Sequence, residues 1–144
     1  MAHSLRRRFS CPVELALEIV NGKWKPVILA HLKQGSLRYA ELRALIPALS
    51  DKMLTQRLKD LEEVGLVVRH KRGGRGAHSR YELTRRGASL RPALQALHDW
   101  GELIAKDVGA DIPAATVDAA ASGMLAKANR AATSPTGNRR RLGL

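Results

Sequence analysis

Apolar residues at helical spacing open the chain. Val13, Leu17 and Val20, joined by Leu15 and Ala16, share one helical face. Ser10-Cys11-Pro12 enters that helix and Asn21-Gly22 closes it; proline suits the first helical position, where its missing N–H has no intrahelical partner. Val27, Ile28, Leu29 and Leu32 set a second helix over about 25–33, stopped by Gly35. Leu37-Arg38-Tyr39 is long enough only for a small strand or an extended link. Leu42, Leu45 and Ile46 predict a short helix over 40–46, ended by Pro47. Ser50 then reads as an N-cap, with Asp51 at the favourable end of the helix dipole. Leu54, Leu58 and Leu61 recur at i, i+4 and i+7, one buried stripe that stops at Gly65.

Past Gly65 the pattern alternates. Leu66 to Lys71 and His78 to Leu83 flank Gly73-Gly74-Arg75-Gly76, which predicts a hairpin around a glycine-rich turn. Thr84 caps a last helix of about two dozen residues, with Leu90, Leu94, Leu97, Trp100 and Ile104 expected inward. Pro92 is expected to kink it or delay its start. After Gly109 alanine, serine, threonine, proline and glycine dominate, and the chain ends just beyond Arg139-Arg140-Arg141. The expected organisation is a basic arm over 1–10, one domain over 11–108, and an alanine-rich, basic, flexible tail over 109–144. The fold class is mainly α with a small β-wing, a winged helix-turn-helix.

Charge narrows the partners. A net charge of +12 on 144 residues points to a polyanion. Aromatic residues at 3% leave few rings for stacking on unpaired bases, so a single-strand binding platform is not expected, while DNA, RNA and acidic membrane all stay open as polyanions. One cysteine excludes an internal disulfide framework and a four-thiolate zinc site. Glu14 and Glu18 interrupt any secretory leader after Arg6-Arg7-Arg8, and no apolar run of membrane-spanning length occurs, so a cytoplasmic protein with no membrane partner is expected. His3, His31, His70, His78 and His98 lack paired ligand spacing, and no nucleophile, base and orienting group can be assembled. No metal, cofactor or catalytic residue is expected.

The helix opening at Ser50 carries the candidate DNA contacts. At about 100° per residue, Lys52, Gln56, Lys59 and Glu63 lie opposite the leucine stripe, with Thr55 at one flank and Asp60 at the other. Lys52, Thr55 and Gln56 offer donors and acceptors to base edges, as the amino-terminal part of a recognition helix does. Ser50, Arg57, Lys59 and Arg38 are assigned to phosphates. Between Arg69 and Arg86 seven cations stand against the single acid Glu82, half the chain's excess charge in one hairpin. A phosphate backbone would offset their repulsion. Arg75 at the tip, with Arg72, is the candidate for the flanking minor groove.

Cys11-Pro12-Val13-Glu14, Gly22-Lys23-Trp24-Lys25, Arg38 to Leu42, Leu49 to Leu58, Leu61 to Val67, Tyr81 to Thr84 and Trp100-Gly101 follow one another in an order that resembles HxlR-type winged helix-turn-helix regulators, of the MarR-like superfamily. The resemblance implies a homodimeric, sequence-specific DNA-binding repressor or activator; the reading taken is a repressor on an approximately palindromic operator. It also implies a response to a small-molecule or oxidant effector, and dimerisation through the first and last helices. Those helices carry Leu17, Ile19, Leu94, Leu97 and Trp100 here. The wing departs from the family in lacking its proline-containing segment, and the tail after Gly109 has no family counterpart.

Cys11 is the redox-sensing candidate. It precedes a helix and follows three arginines, both of which favour thiolate. A packed helix-entry residue is the alternative. For the whole chain, the alternatives are a non-specific nucleic-acid or nucleoid-binding protein, and a basic module that docks an acidic protein.

Overall fold

A computed structural model describes residues 8–71 and 79–112. The chain divides into two compact units, 1–113 and 114–144; the second, with the alanine-rich stretch and the terminal arginines, lies outside the described residues. So do Arg6, Arg7 and the hairpin tip. In chain order the described elements are α1 (Pro12–Val20), α2 (Lys25–Leu32), β1 (Leu37–Arg38), α3 (Tyr39–Leu45), α4 (Asp51–Glu63), β2 (Val67–His70), β3 (Arg80–Leu83), α5 (Arg85–Ala88) and α6 (Arg91–Val108). Pro12 and Pro26 each sit in a first helical turn, as their fixed φ favours.

The core is built around α4. Leu54, Leu58 and Leu61 are completely buried against Ile28, Leu29 and Leu32 of α2 and Leu42 of α3. Ile46 and Leu49 in the α3–α4 turn, Leu66, Val67 and Tyr81 from the sheet, and Leu94 of α6 complete the cluster. At about 1.5–3 kcal/mol for each fully buried Leu or Ile side chain, this cluster is what fixes the orientation of α4.

The sheet has three antiparallel strands in the order β1–β3–β2. Val67 pairs with Leu83 and His70 with Arg80 across the hairpin. Leu37 pairs with Tyr81 and Arg38 with Arg80 on the other side. Arg80 reinforces that edge: its Nε donates to Ser36 Oγ at 3.1 Å and its Nη2 to the Ser36 carbonyl at 2.8 Å. The short link before α3 is therefore an integral strand of the wing.

The expected long final helix is two helices. Thr84 does cap a helix, accepting the Gly87 N–H at 3.1 Å, and its hydroxyl donates to the Gly65 carbonyl at 2.6 Å. That helix is the single turn α5. Pro92 then delays the main helix, which begins at Arg91. Gly87 is obligatory at the bend, since a Cβ there would stand 2.0 Å from the Leu66 carbonyl oxygen. Gly65, at φ +74°, makes the left-handed turn from α4 into β2 that L side chains resist.

The inward face of α6 also needs correction. Leu94 is buried, 6% exposed, within the protomer's own core, but Leu97 and Trp100 are 59% and 60% exposed. On α1 no residue is buried; Ile19 and Val20 pack against the core, while Val13 and Leu17 face outward.

Candidate nucleic-acid interface

The α3–turn–α4 unit is held by hydrogen bonds converging on the start of α4. Ser50 Oγ accepts the Met53 N–H at 3.2 Å, the N-cap its sequence position predicts. Asp51 follows, and two side chains of α3 reach it. The Tyr39 hydroxyl lies 3.0 Å from the Asp51 carbonyl and 3.2 Å from its carboxylate, and Arg43 Nε donates to the same carboxylate at 3.0 Å. Tyr39 also meets Thr55 Oγ1 at 3.2 Å. One turn apart on α3, Tyr39 and Arg43 form a two-pronged brace against the first turns of α4. The exposed Arg43–Asp51 pair is worth little alone, about 0–1 kcal/mol. Its use is geometric: it sets the angle at which α4 leaves the turn. Sequence reading assigned neither residue, although their i, i+4 spacing was the available signal.

Beyond the brace, the outer face of α4 is open. Lys52, Gln56, Lys59 and Glu63 are exposed opposite the buried leucines, where the helical period places them. Gln56 is tied down locally, its Nε2 donating to Asp60 Oδ1 at 2.8 Å. Arg57, one-third exposed, donates from Nη1 to the other oxygen of Asp60 at 2.9 Å. Partial burial disfavours the charged form of Asp60, but the hydrogen bonds from Gln56 and Arg57, with the charge of Lys25, outweigh it and hold the carboxyl below its usual value. Four of the assigned groups are thus partly engaged within the protein: the Ser50 hydroxyl by its cap, the Thr55 hydroxyl by Tyr39, and the Gln56 amide and Arg57 guanidinium by Asp60. Arg38 is exposed at the N-cap of α3, where its backbone N–H donates to the Glu41 carboxylate at 2.6 Å.

At the wing, Arg72 and Arg75 lie outside the described residues. At the root of the hairpin three of the cations keep their charge but are engaged by neutral groups of the protein. Arg69 Nε donates to Ser79 Oγ at 2.9 Å and its guanidinium stands over the Tyr81 ring, Arg80 holds Ser36, and Arg86 Nη1 donates to the Val64 carbonyl at 3.3 Å. Lys71 and Arg85 remain exposed on the surface. No group of histidine, cysteine and carboxylate side chains fit to hold a metal occurs among the described residues.

Two further features lie away from this face. Cys11 is exposed at the N-cap of α1. A cavity of about 460 Å³ opens between α1, the end of α4 and the α5–α6 junction, lined by Leu15, Ile19, Val64, Leu66 and Leu90 with Arg86 beside them. No helix among the described residues is long and apolar enough to cross a membrane.

The comparisons agree with this geometry. The HxlR-like helix-turn-helix family matches residues 19–108. The HTH-type transcriptional regulator YdeP of Bacillus subtilis (strain 168) is 40% identical over 92 residues, 64% of this chain and 72% of that protein. The redox regulator HypR superposes in its reduced form with a TM-score of 0.64 at 35% identity, covering 68% of this chain and 96% of HypR. Its oxidised form gives 0.61 at 36%, covering 64% and 95%. Diamide-treated YodB from B. subtilis gives 0.54 at 30%, covering 67% of this chain and 96% of YodB. With a braced helix-turn-helix, a three-stranded wing and a family match across most of its length, the chain belongs to the HxlR-like helix-turn-helix family of DNA-binding transcriptional regulators.

Proposed function

We propose that the protein is a homodimeric repressor that reads an approximately palindromic operator, with one α4 in each of two successive major grooves. The observation that carries this reading is α4 itself: one face is locked into the core by three leucines, and the opposite face holds Lys52, Gln56 and Lys59 in the open. Lys52 and Gln56 address base edges, with Thr55 beside them; Lys59, Arg38, Ser50 and Arg57 are positioned near phosphates. Arg72 and Arg75 extend the contact into the flanking minor groove. The second copy docks on the outward apolar side chains of α1 and α6, Leu17, Leu97 and Trp100, with Val13 and Leu103 alongside. Leu94 and Ile19 act from beneath, as support for that face. With DNA as the partner, the working compartment is the cytoplasm.

Sensing is assigned to Cys11. Its exposure at a helix entry supports the reading, as does likeness to HypR, solved in oxidised and reduced forms, and to YodB, solved after diamide treatment. Cys11→Ser keeps operator binding and abolishes the response to diamide; an unchanged response in that variant removes the cysteine from sensing. A small apolar effector has room in the cavity beside α1, whose volume falls within the range of ligand pockets.

The decisive experiment is a gel-shift competition with the full chain between selected operator DNA and bulk genomic DNA. A regulator discriminates by about a thousandfold or more. Equal competition identifies a non-specific nucleic-acid binder, and failure to bind either duplex identifies a basic protein-docking module.

A further inference from the structure

We infer that Asp60 is a positioning residue for base readout: its carboxylate fixes the Gln56 amide so that α4 presents an acceptor and a donor side by side, the complement of an adenine edge. The inference rests on the DNA-reading role proposed for α4.

The two ends of a glutamine amide have nearly the same shape, and an unconstrained Gln56 would offer either one to a base. An ionised carboxylate only accepts hydrogen bonds, so the amide atom facing it has to be the nitrogen. Asp60 Oδ1 takes one N–H of Gln56 at 2.8 Å. That leaves Oε1 and the second N–H of the exposed Gln56 side chain available to a base. The carboxylate cannot turn aside, because its other oxygen is held at 2.9 Å by Arg57. It also keeps its charge, since the hydrogen bonds from Gln56 and Arg57 and the nearby Lys25 favour the anion over the cost of partial burial.

In the major groove adenine alone pairs an N7 acceptor with an N6 donor on one base, which is the pattern this amide completes; guanine offers two acceptors there. A freely turning amide could still donate to guanine with its nitrogen and lose little. The fixed one meets guanine O6 with its own oxygen. Specificity at that base pair is therefore set as much by Asp60, which touches no DNA, as by Gln56.

The test is selection of binding sites from a randomised duplex library by the full chain and by Asp60→Asn, Asp60→Glu, Gln56→Ala and the Gln56→Ala/Asp60→Asn double variant, each checked for folding by thermal melting. The expected result is that Asp60→Asn lowers adenine preference about tenfold at one base pair of each half-site and leaves the others unchanged. Gln56→Ala flattens the same base pair, adding Asp60→Asn to it changes nothing further, and Asp60→Glu, still acceptor-only, restores much of the preference. A uniform loss of affinity in Asp60→Asn with every base preference intact overturns the inference and leaves Asp60 a structural helix residue. If the parent chain selects no sequence at all, the proposed function falls and this inference with it; a parent that selects sites while Gln56→Ala alters none of them refutes the inference alone.

Discussion

Gly87→Ala tests the packing that joins the wing to the helical core. The added Cβ would lie 2.0 Å from the Leu66 carbonyl oxygen, 3.0 Å from the Leu66 carbonyl carbon and 3.3 Å from Leu83 Cβ. An ordinary carbon–oxygen contact is about 3.3 Å or longer, so backbone has to move by about 1 Å, and no flexible side-chain end is available to give way. The same carbonyl accepts the Thr84 N–H at 3.0 Å, and Thr84 caps α5 and grips Gly65. The shift therefore also strains the turn leading into β2. Overpacking of this kind costs about 1–3 kcal/mol, and lost hydrogen bonds add about 1. Alanine's better helix propensity returns about 1 kcal/mol. A net loss of about 1–3 kcal/mol corresponds to a fall in melting temperature of about 5–15 °C for a folded unit of this size. Circular dichroism melts of parent and variant measure it. A Gly87→Ala protein that melts within about 2 °C of the parent, or above it, would show that the seam yields freely and that the reasoning is wrong.

Three further outcomes follow from the same structure. Tyr39→Phe removes the hydroxyl contacts to Asp51 and Thr55 at 3.0–3.2 Å; it is expected to cost about 1 kcal/mol and several-fold in operator affinity, read by urea titration and gel shift, and unchanged affinity would deny the brace a role in binding. Burial lowers the pKa of His31 below 6.5; the unfolded chain then takes up a proton that the native state refuses, so the contribution is complete above pH 6.5 and is lost as pH falls below it. His31→Gln should flatten stability against pH between 7 and 5, and an unaltered slope would assign that dependence elsewhere. Trp100→Glu on the outward face of α6 should give a monomer by sedimentation with the protomer's melting little changed, whereas a persisting dimer would move the interface off α6.

Much of this was legible from local pattern. The stripe Leu54-Leu58-Leu61, the Ser50 cap and the alternation around the glycines each name an element whose evidence lies within a few residues. What escaped was non-local. The pairing of β1 with β3 joins positions 42 and 44 residues apart, the Arg80–Ser36 contact spans 44, and no periodicity announces either. Pro92 signalled the delayed start of the final helix, but its position did not tell that the residues before it form a separate turn, α5, packed at Gly87 against the Leu66 backbone. Leu97 and Trp100 show a different limit: an amphipathic period says that a face is apolar, not whether this chain or another covers it. In the site, Lys52, Gln56 and Lys59 stand where helical geometry put them, but Asp60, read as a mere flank residue, holds both Gln56 and Arg57.

The strand β1 has a mechanical consequence. It stitches the hairpin to the peptide immediately ahead of α3, and α3 in turn props α4, so α4 and the wing root are coupled like the jaws of one caliper. In the homodimer proposed above, a signal arriving at α1 or α6 would then act by altering the separation or tilt of two calipers, leaving each internally intact and ready to re-engage once the gap is restored.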